Sequence, residues 1–253
     1  RFHLNQWDWV DSIDRSSWSV PAKAKFFAAL PFISKAWDRV TAEMDENESE
    51  YWTRAQVYPD RDHLERMEYA IDQLINNGRP DASIQCFWLG DLWGGEYSEL
   101  GLRALETFSD ENHIDAHAIE EVFNHLQNDE AVDEERLAAM EVKFLGLLNK
   151  FGSAQPRTLY RHLAERPDFF CEVIRMIYRS TKEVDEETEK KPEVDETTQR
   201  IAERAYRLLM DWDHPPGCLT DRIFDGKRLH QWVADVKSKC LETGHWEIAS
   251  HQI

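Results

Sequence analysis

The chain has 253 residues, with 49 acidic against 30 basic side chains and a net charge of -19. That balance excludes the basic footprint of a DNA- or RNA-binding protein. The longest apolar runs fall well short of the roughly 18 residues that a membrane span needs, and no signal peptide opens the chain. A cytoplasmic protein without nucleic acid or membrane partners is expected, its acidity serving solubility or steering a protein partner with a basic face.

Four cysteines occur, Cys86, Cys171, Cys218 and Cys240, and none forms a CxxC pair. Three sit in apolar helical patterns, which points to buried free thiols in a reducing compartment. Ten tryptophans are many for this length; packing between helices accounts for them, with an aromatic binding surface as the alternative. The chain begins at Arg1 and ends on Ile253 straight after a helical pattern, so a piece of a larger protein is expected.

In chain order, residues 1–20 are polar with Trp7, Trp9 and Trp18 interspersed, and read as partly irregular. Pro21 suits a helix start, and Phe26, Phe27, Leu30, Ile33 and Trp37 give an apolar face that Pro31 interrupts. The acidic run 45–50 is a solvated link or a helix start. From Asp62 the pattern is regular: Leu64, Met67, Ile71, Leu74 and Ile75 share one helical face. Gly78 and Pro80 then stop one helix and start its antiparallel partner through Ile84, Phe87 and Trp88.

The glycines of 90–96 break that partner. Without a preceding strand or a GK[ST] ending they form an interhelical loop, not a phosphate loop. Leu100, Leu102, Leu105 and Phe108 mark the next helix, and Asp115 caps another with Ile119, Val122, Phe123 and Leu126 on its face. The stretch 133–152 is expected to be the inner helix of the fold. Leu137, Met140, Phe144, Leu147, Leu148 and Phe151 share a face, Val142 and Leu145 widen it, and Gly152 closes it.

Short helices through Leu159–Leu163 and Phe170–Ile177 follow. Residues 181–198 hold eight acids and three lysines and read as a mobile acidic linker. Helical faces return with Ala205, Leu208 and Trp212, then Asp225 caps a helix through Trp232, Val236 and Cys240. A Thr243–Gly244 turn precedes the start of one more. No stretch alternates with a period of two. The fold class is therefore all-α, an irregular stack of helical hairpins of HEAT or TPR kind. The expected organisation is an N-terminal helical segment over 1–60, a central stack over 61–180, the linker over 181–198, and further helices of the same stack over 199–253.

Candidate chemistry is sparse. His117, Glu121 and His125 recur at four-residue steps, so one helix face can present them, with His113, Asp115 and Glu120 nearby. A metal site needs three or four such ligands converging. HExxH is absent, and the same residues serve equally as helix-start and surface groups. Asp91 and Glu96 flank the glycine loop as a candidate acid/base pair. Cys171 follows two phenylalanines in an apolar helix, which suits a core thiol better than a nucleophile. No catalytic motif is present and no cofactor is expected.

From about Asp115 onward the chain resembles the carboxy-terminal helical region of large bacterial multidomain proteins. The segments that carry the resemblance are LAERPDFFCEVIRMIYRS (163–180), AYRLLMDW (205–212), FDGKRLHQWV (224–233) and CLETGHWEIASHQI (240–253). The resemblance implies a helical region joined to an effector or nucleotide-binding portion of the same polypeptide, an architecture similar to that of bacterial sensor NTPases in phage defence. Two function classes follow. One is a non-enzymatic protein-interaction, scaffold or sensor module. The other is a small metal-dependent hydrolase using His113, His117 and nearby carboxylates.

Overall fold

The computed structural model describes residues 6–109, 112, 115–148, 154–178, 196–212, 216 and 225–253. It is all-helical, with no strand among the described residues. Packing divides the chain into two units, Arg1–Asp133 and Glu134–Ile253. The stretch 61–180, expected as one stack, therefore contributes to both.

The first unit begins with α1 (Gln6–Ser12), α2 (Val20–Ala28) and α3 (Ser34–Met44), and the last two are separated at Pro31 as expected. The acidic run 45–50 is a helix start: a 3-10 turn, Asp45–Asn47, leads into α4 (Ser49–Trp52). Phe32, Trp37, Tyr51 and Trp52 gather here with ring centroids 4.9–6.3 Å apart, and all four are buried. Edge-to-face and tilted ring pairs of this kind stabilise beyond the area they bury.

Next come α5 (Met67–Asn76), α6 (Pro80–Gly90), α7 (Glu96–Thr107) and α8 (Ala116–Leu126). Gly78, at φ +72, lets Arg79 N–H reach back to the Leu74 carbonyl at 2.9 Å, so α5 closes and α6 opens on Pro80 after a short turn. Helix α5 packs on α6 and α7, and α6 packs on α7 and α8. The two hairpins are thus stacked first helix on first and second on second.

Ion pairs also tie elements of this unit to one another. Arg39 on α3 donates twice to Asp11 on α1, at 2.7 Å each. Arg66, just before α5, pairs with Asp38 on α3, and Arg103 on α7 with Asp72 on α5 at 2.7 Å.

In the second unit, α9 (Glu134–Phe144), α10 (Arg157–Glu165), α11 (Pro167–Ile177), α12 (Glu196–Met210), α13 (Gly226–Thr243) and α14 (Trp246–Ala249) follow in order. Helix α11 is the hub and touches α10, α12, α13 and α14. Its Phe170, Cys171, Val173 and Ile174 meet Leu159, Leu163, Leu208, Trp232 and Val236 in one apolar core. Asp225 caps α13 by accepting from Lys227 N–H at 2.9 Å, and Gly244 at φ +78 ends it.

The helix expected over Asp133–Phe151 is shorter and less central than its sequence implies. It ends at Phe144, residues 145–148 continue as turns, and Phe151 and Gly152 lie outside the described residues. Val142 is 41% exposed, and Met140 and Leu147 are only half-buried. Gly146 costs a helix interior about 1 kcal/mol relative to alanine, which favours release of the last turn. The more deeply buried helix is α6, where Pro80, Ala82, Ser83, Ile84, Cys86, Phe87 and Gly90 are all covered. Of the acidic linker, 181–195 lie outside the described residues, and Glu196–Thr198 already belong to α12.

Candidate functional site

The histidine–carboxylate face belongs to α8. Asp115 holds its N-terminus in place, its Oδ1 accepting from His117 N–H at 3.1 Å and Ala118 N–H at 3.3 Å. Ala118, Ile119, Val122, Phe123 and Leu126 are buried, which leaves His117 exposed and Glu121 and His125 partly covered along one side, as their spacing predicts.

Tryptophans occupy that side. His125 lies flat on Trp93, with centroids 3.7 Å apart and planes 5° from parallel. His117, which is exposed, meets Trp88 edge-on at 5.8 Å. Trp93 is itself stacked on Phe87 at 6.1 Å, and its indole N–H donates to Asp91 Oδ1 at 2.9 Å. The rings are thus engaged as packing surfaces. Among the described residues, no group of three or more His, Cys, Asp or Glu side chains converges in a metal-binding arrangement. His113 lies outside the described residues.

The glycine loop is a connection between α6 and α7. Asp91 stands in the left-handed region at φ +55, with Gly94 at +80 and Gly95 at +58. Glycine alone adopts such angles freely. Asp91 is occupied by Trp93, while Glu96 sits exposed in the first turn of α7, where a carboxylate complements the helix dipole. Beneath the loop a void of about 10 Å³, lined by Phe87, Trp93, Gly101, Val122 and His125, has room for at most one water molecule.

Several buried polar groups escaped the sequence reading. In the first unit Arg15 forks onto Glu43, with Nη2–Oε1 2.5 Å and Nε–Oε2 3.0 Å, under the rings of Phe26 and Phe27. The hydrogen bonds that Arg15 donates to Glu43 raise its pKa above the ordinary value. In the second unit Glu141 is fully buried, and its two oxygens accept from the N–H groups of Thr158 at 3.1 Å and Leu159 at 2.8 Å. It caps α10 from another helix, a role that Pro156 at the N-cap position cannot fill. Glu134 joins His162 at 2.7 Å and Arg161 at 3.0 Å. Burial works against its charge, but these two partners hold its carboxyl below the usual range. Signals for these groups are weak in sequence, because each partner lies 17 to 28 residues away.

An open groove of about 350 Å³ also runs along the second unit, lined by Glu165, Pro167, Arg228, Gln231, Trp232 and Asp235. It carries both charge signs and no converging catalytic set. Compared with family models, curated proteins and solved structures, the chain matches none. No helix among the described residues is long and apolar enough to cross a membrane. What fold and site together define is a chain of helices with an acidic surplus, whose polar clusters join helices to one another.

Proposed function

We propose that the chain is a non-enzymatic helical module that binds protein, as a scaffold or sensor within a larger bacterial polypeptide. The observation that carries this reading is the stacking of the α5–α6 and α7–α8 hairpins, each helix on its counterpart. Such stacks, in HEAT- or TPR-like series, build extended grooves suited to peptides and protein surfaces. The surplus of acidic over basic residues selects a partner with a basic face, in a cytoplasmic setting. Trp88, 39% exposed and edge-on to His117, is the kind of anchor such a contact uses. By resemblance, other domains of the same polypeptide, including a nucleotide-binding portion, are further partners.

The test is affinity capture with the full chain at low and high salt, followed by reconstitution with each purified candidate. Zinc content and nucleotide hydrolysis are assayed on the same sample. The reading expects a basic protein that rebinds when purified, and no turnover. Turnover lost in His117→Ala, or stoichiometric zinc, would replace it with the metal-dependent hydrolase. Recovery of nucleic acid would defeat the partner class.

A further inference from the structure

We infer that Cys171 and Cys240 form a disulfide when the chain meets a small peroxide, tying α11 covalently to α13. The two residues are 69 positions apart in sequence, yet their sulfurs stand 2.9 Å apart. A disulfide bond is about 2.05 Å long, so an approach of less than about 1 Å separates the pair from bonding. Both residues are fully buried, in the core that holds Phe170, Ile174 and Val236. Helices α11 and α13 pack directly on each other, which holds the two cysteines side by side in the folded chain. Cys86 belongs to the other unit, and Cys218 lies outside the described residues.

The chemistry balances with hydrogen peroxide as oxidant. One sulfur, as thiolate, attacks a peroxide oxygen; the O–O bond breaks, hydroxide leaves and a sulfenic acid remains. The second sulfur attacks the sulfenic sulfur and displaces hydroxide as the S–S bond forms. The two thiol protons convert the two hydroxides to water. Two thiols thus lose two electrons, and one peroxide becomes two waters. Burial, reinforced by the neighbouring Cys240, pushes the Cys171 thiol up to about 12. Reaction is therefore slow in the closed core and is gated by local opening of the helices.

The experiment treats the full chain with hydrogen peroxide, quenches it, then denatures, alkylates and digests without reductant. The expected product is a peptide joining Cys171 to Cys240, lighter by about two hydrogens than the two reduced peptides. Oxidation should raise the melting temperature by roughly 5–10 °C, and reductant should reverse the rise. A chain carrying both Cys86→Ser and Cys218→Ser should still form the link. Alkylation of both Cys171 and Cys240 after treatment would overturn the inference. So would a link from either residue to Cys86, Cys218 or a second chain, or a thermal shift that persists in Cys240→Ala. Peptide mapping on the unsubstituted chain decides the matter even where a cysteine variant fails to fold.

Discussion

Arg103 on α7 donates to Asp72 on α5 at 2.7 Å, 31 residues back along the chain. The same pairing joins Arg39 to Asp11 and Arg66 to Asp38, each across 28 residues. In each case an aspartate on α1, α3 or α5 meets an arginine on α3, just before α5, or on α7. The three pairs each join residues about one helical hairpin apart along the first unit.

These pairs mark register more than they supply stability, because exposed ion pairs are worth about 0–1 kcal/mol. Arg103→Ala is expected to cost less than about 1 kcal/mol in urea unfolding. Ile71→Ala, in the fully buried face of α5, is expected to cost about 2–5 kcal/mol. Equal costs would mean that the pair is structural in its own right.

Glu141 should matter far more than its charge class suggests. Glu141→Ala leaves two N–H groups at the α10 start without their carboxylate, at a cost of about 2–5 kcal/mol. Glu141→Gln keeps the shape but turns one acceptor into a donor, and should cost about 1–3 kcal/mol. Urea unfolding of both variants checks the order; a neutral Glu141→Ala would show that solvent replaces the cap.

Acid should weaken both units. The Arg39 hydrogen bonds lower the Asp11 carboxyl, and Glu134 is lowered by His162 and Arg161 against its partial burial. A lowered folded pKa contributes stability that is present above the unfolded value, near 4, and is lost as pH falls through the folded value. Melting temperature should therefore hold between about pH 5 and 7 as far as these groups govern it, and drop below about pH 4. Asp11→Asn and Glu134→Gln should each flatten that drop. An unchanged acid limb in both variants would assign it to other carboxylates.

Within the second unit, Leu147→Ala should cost clearly less than Leu163→Ala. Leu147 is half-buried beyond the end of α9, whereas Leu163 is fully covered by the core. Full burial of leucine predicts about 2–5 kcal/mol for Leu163. Parity between the two would restore the longer helix that the sequence pattern suggests.

The helices were legible because their punctuation is chemical. Pro31, Gly78, Asp115, Asp225 and Gly244 each act where a break or cap was expected. The ranking of helices by burial was not. Apolar periodicity favours α9, with its large side chains, over α6, whose Ala82, Ser83 and Gly90 are buried because they are small. Small residues admit close helix approach without adding to an apolar pattern. On α8, spacing placed His117, Glu121 and His125 on one side but could not reveal Trp88 and Trp93, which come from α6 and its following loop. Long-range pairs such as Glu141 with Thr158, or Cys171 with Cys240, leave no local trace at all.

The proposed role as an acidic protein-binding module is tested most directly by titrating the purified chain with its purified partner across salt. Exposed charges are screened beyond about 8–10 Å at physiological ionic strength. The dissociation constant should rise at least about tenfold between about 50 and 500 mM salt, mainly through slower association. Trp88→Ala should weaken binding further without lowering the melting temperature by more than a few degrees. An affinity that ignores salt, and is untouched by Trp88→Ala, would contradict both the charge argument and the surface assigned to it.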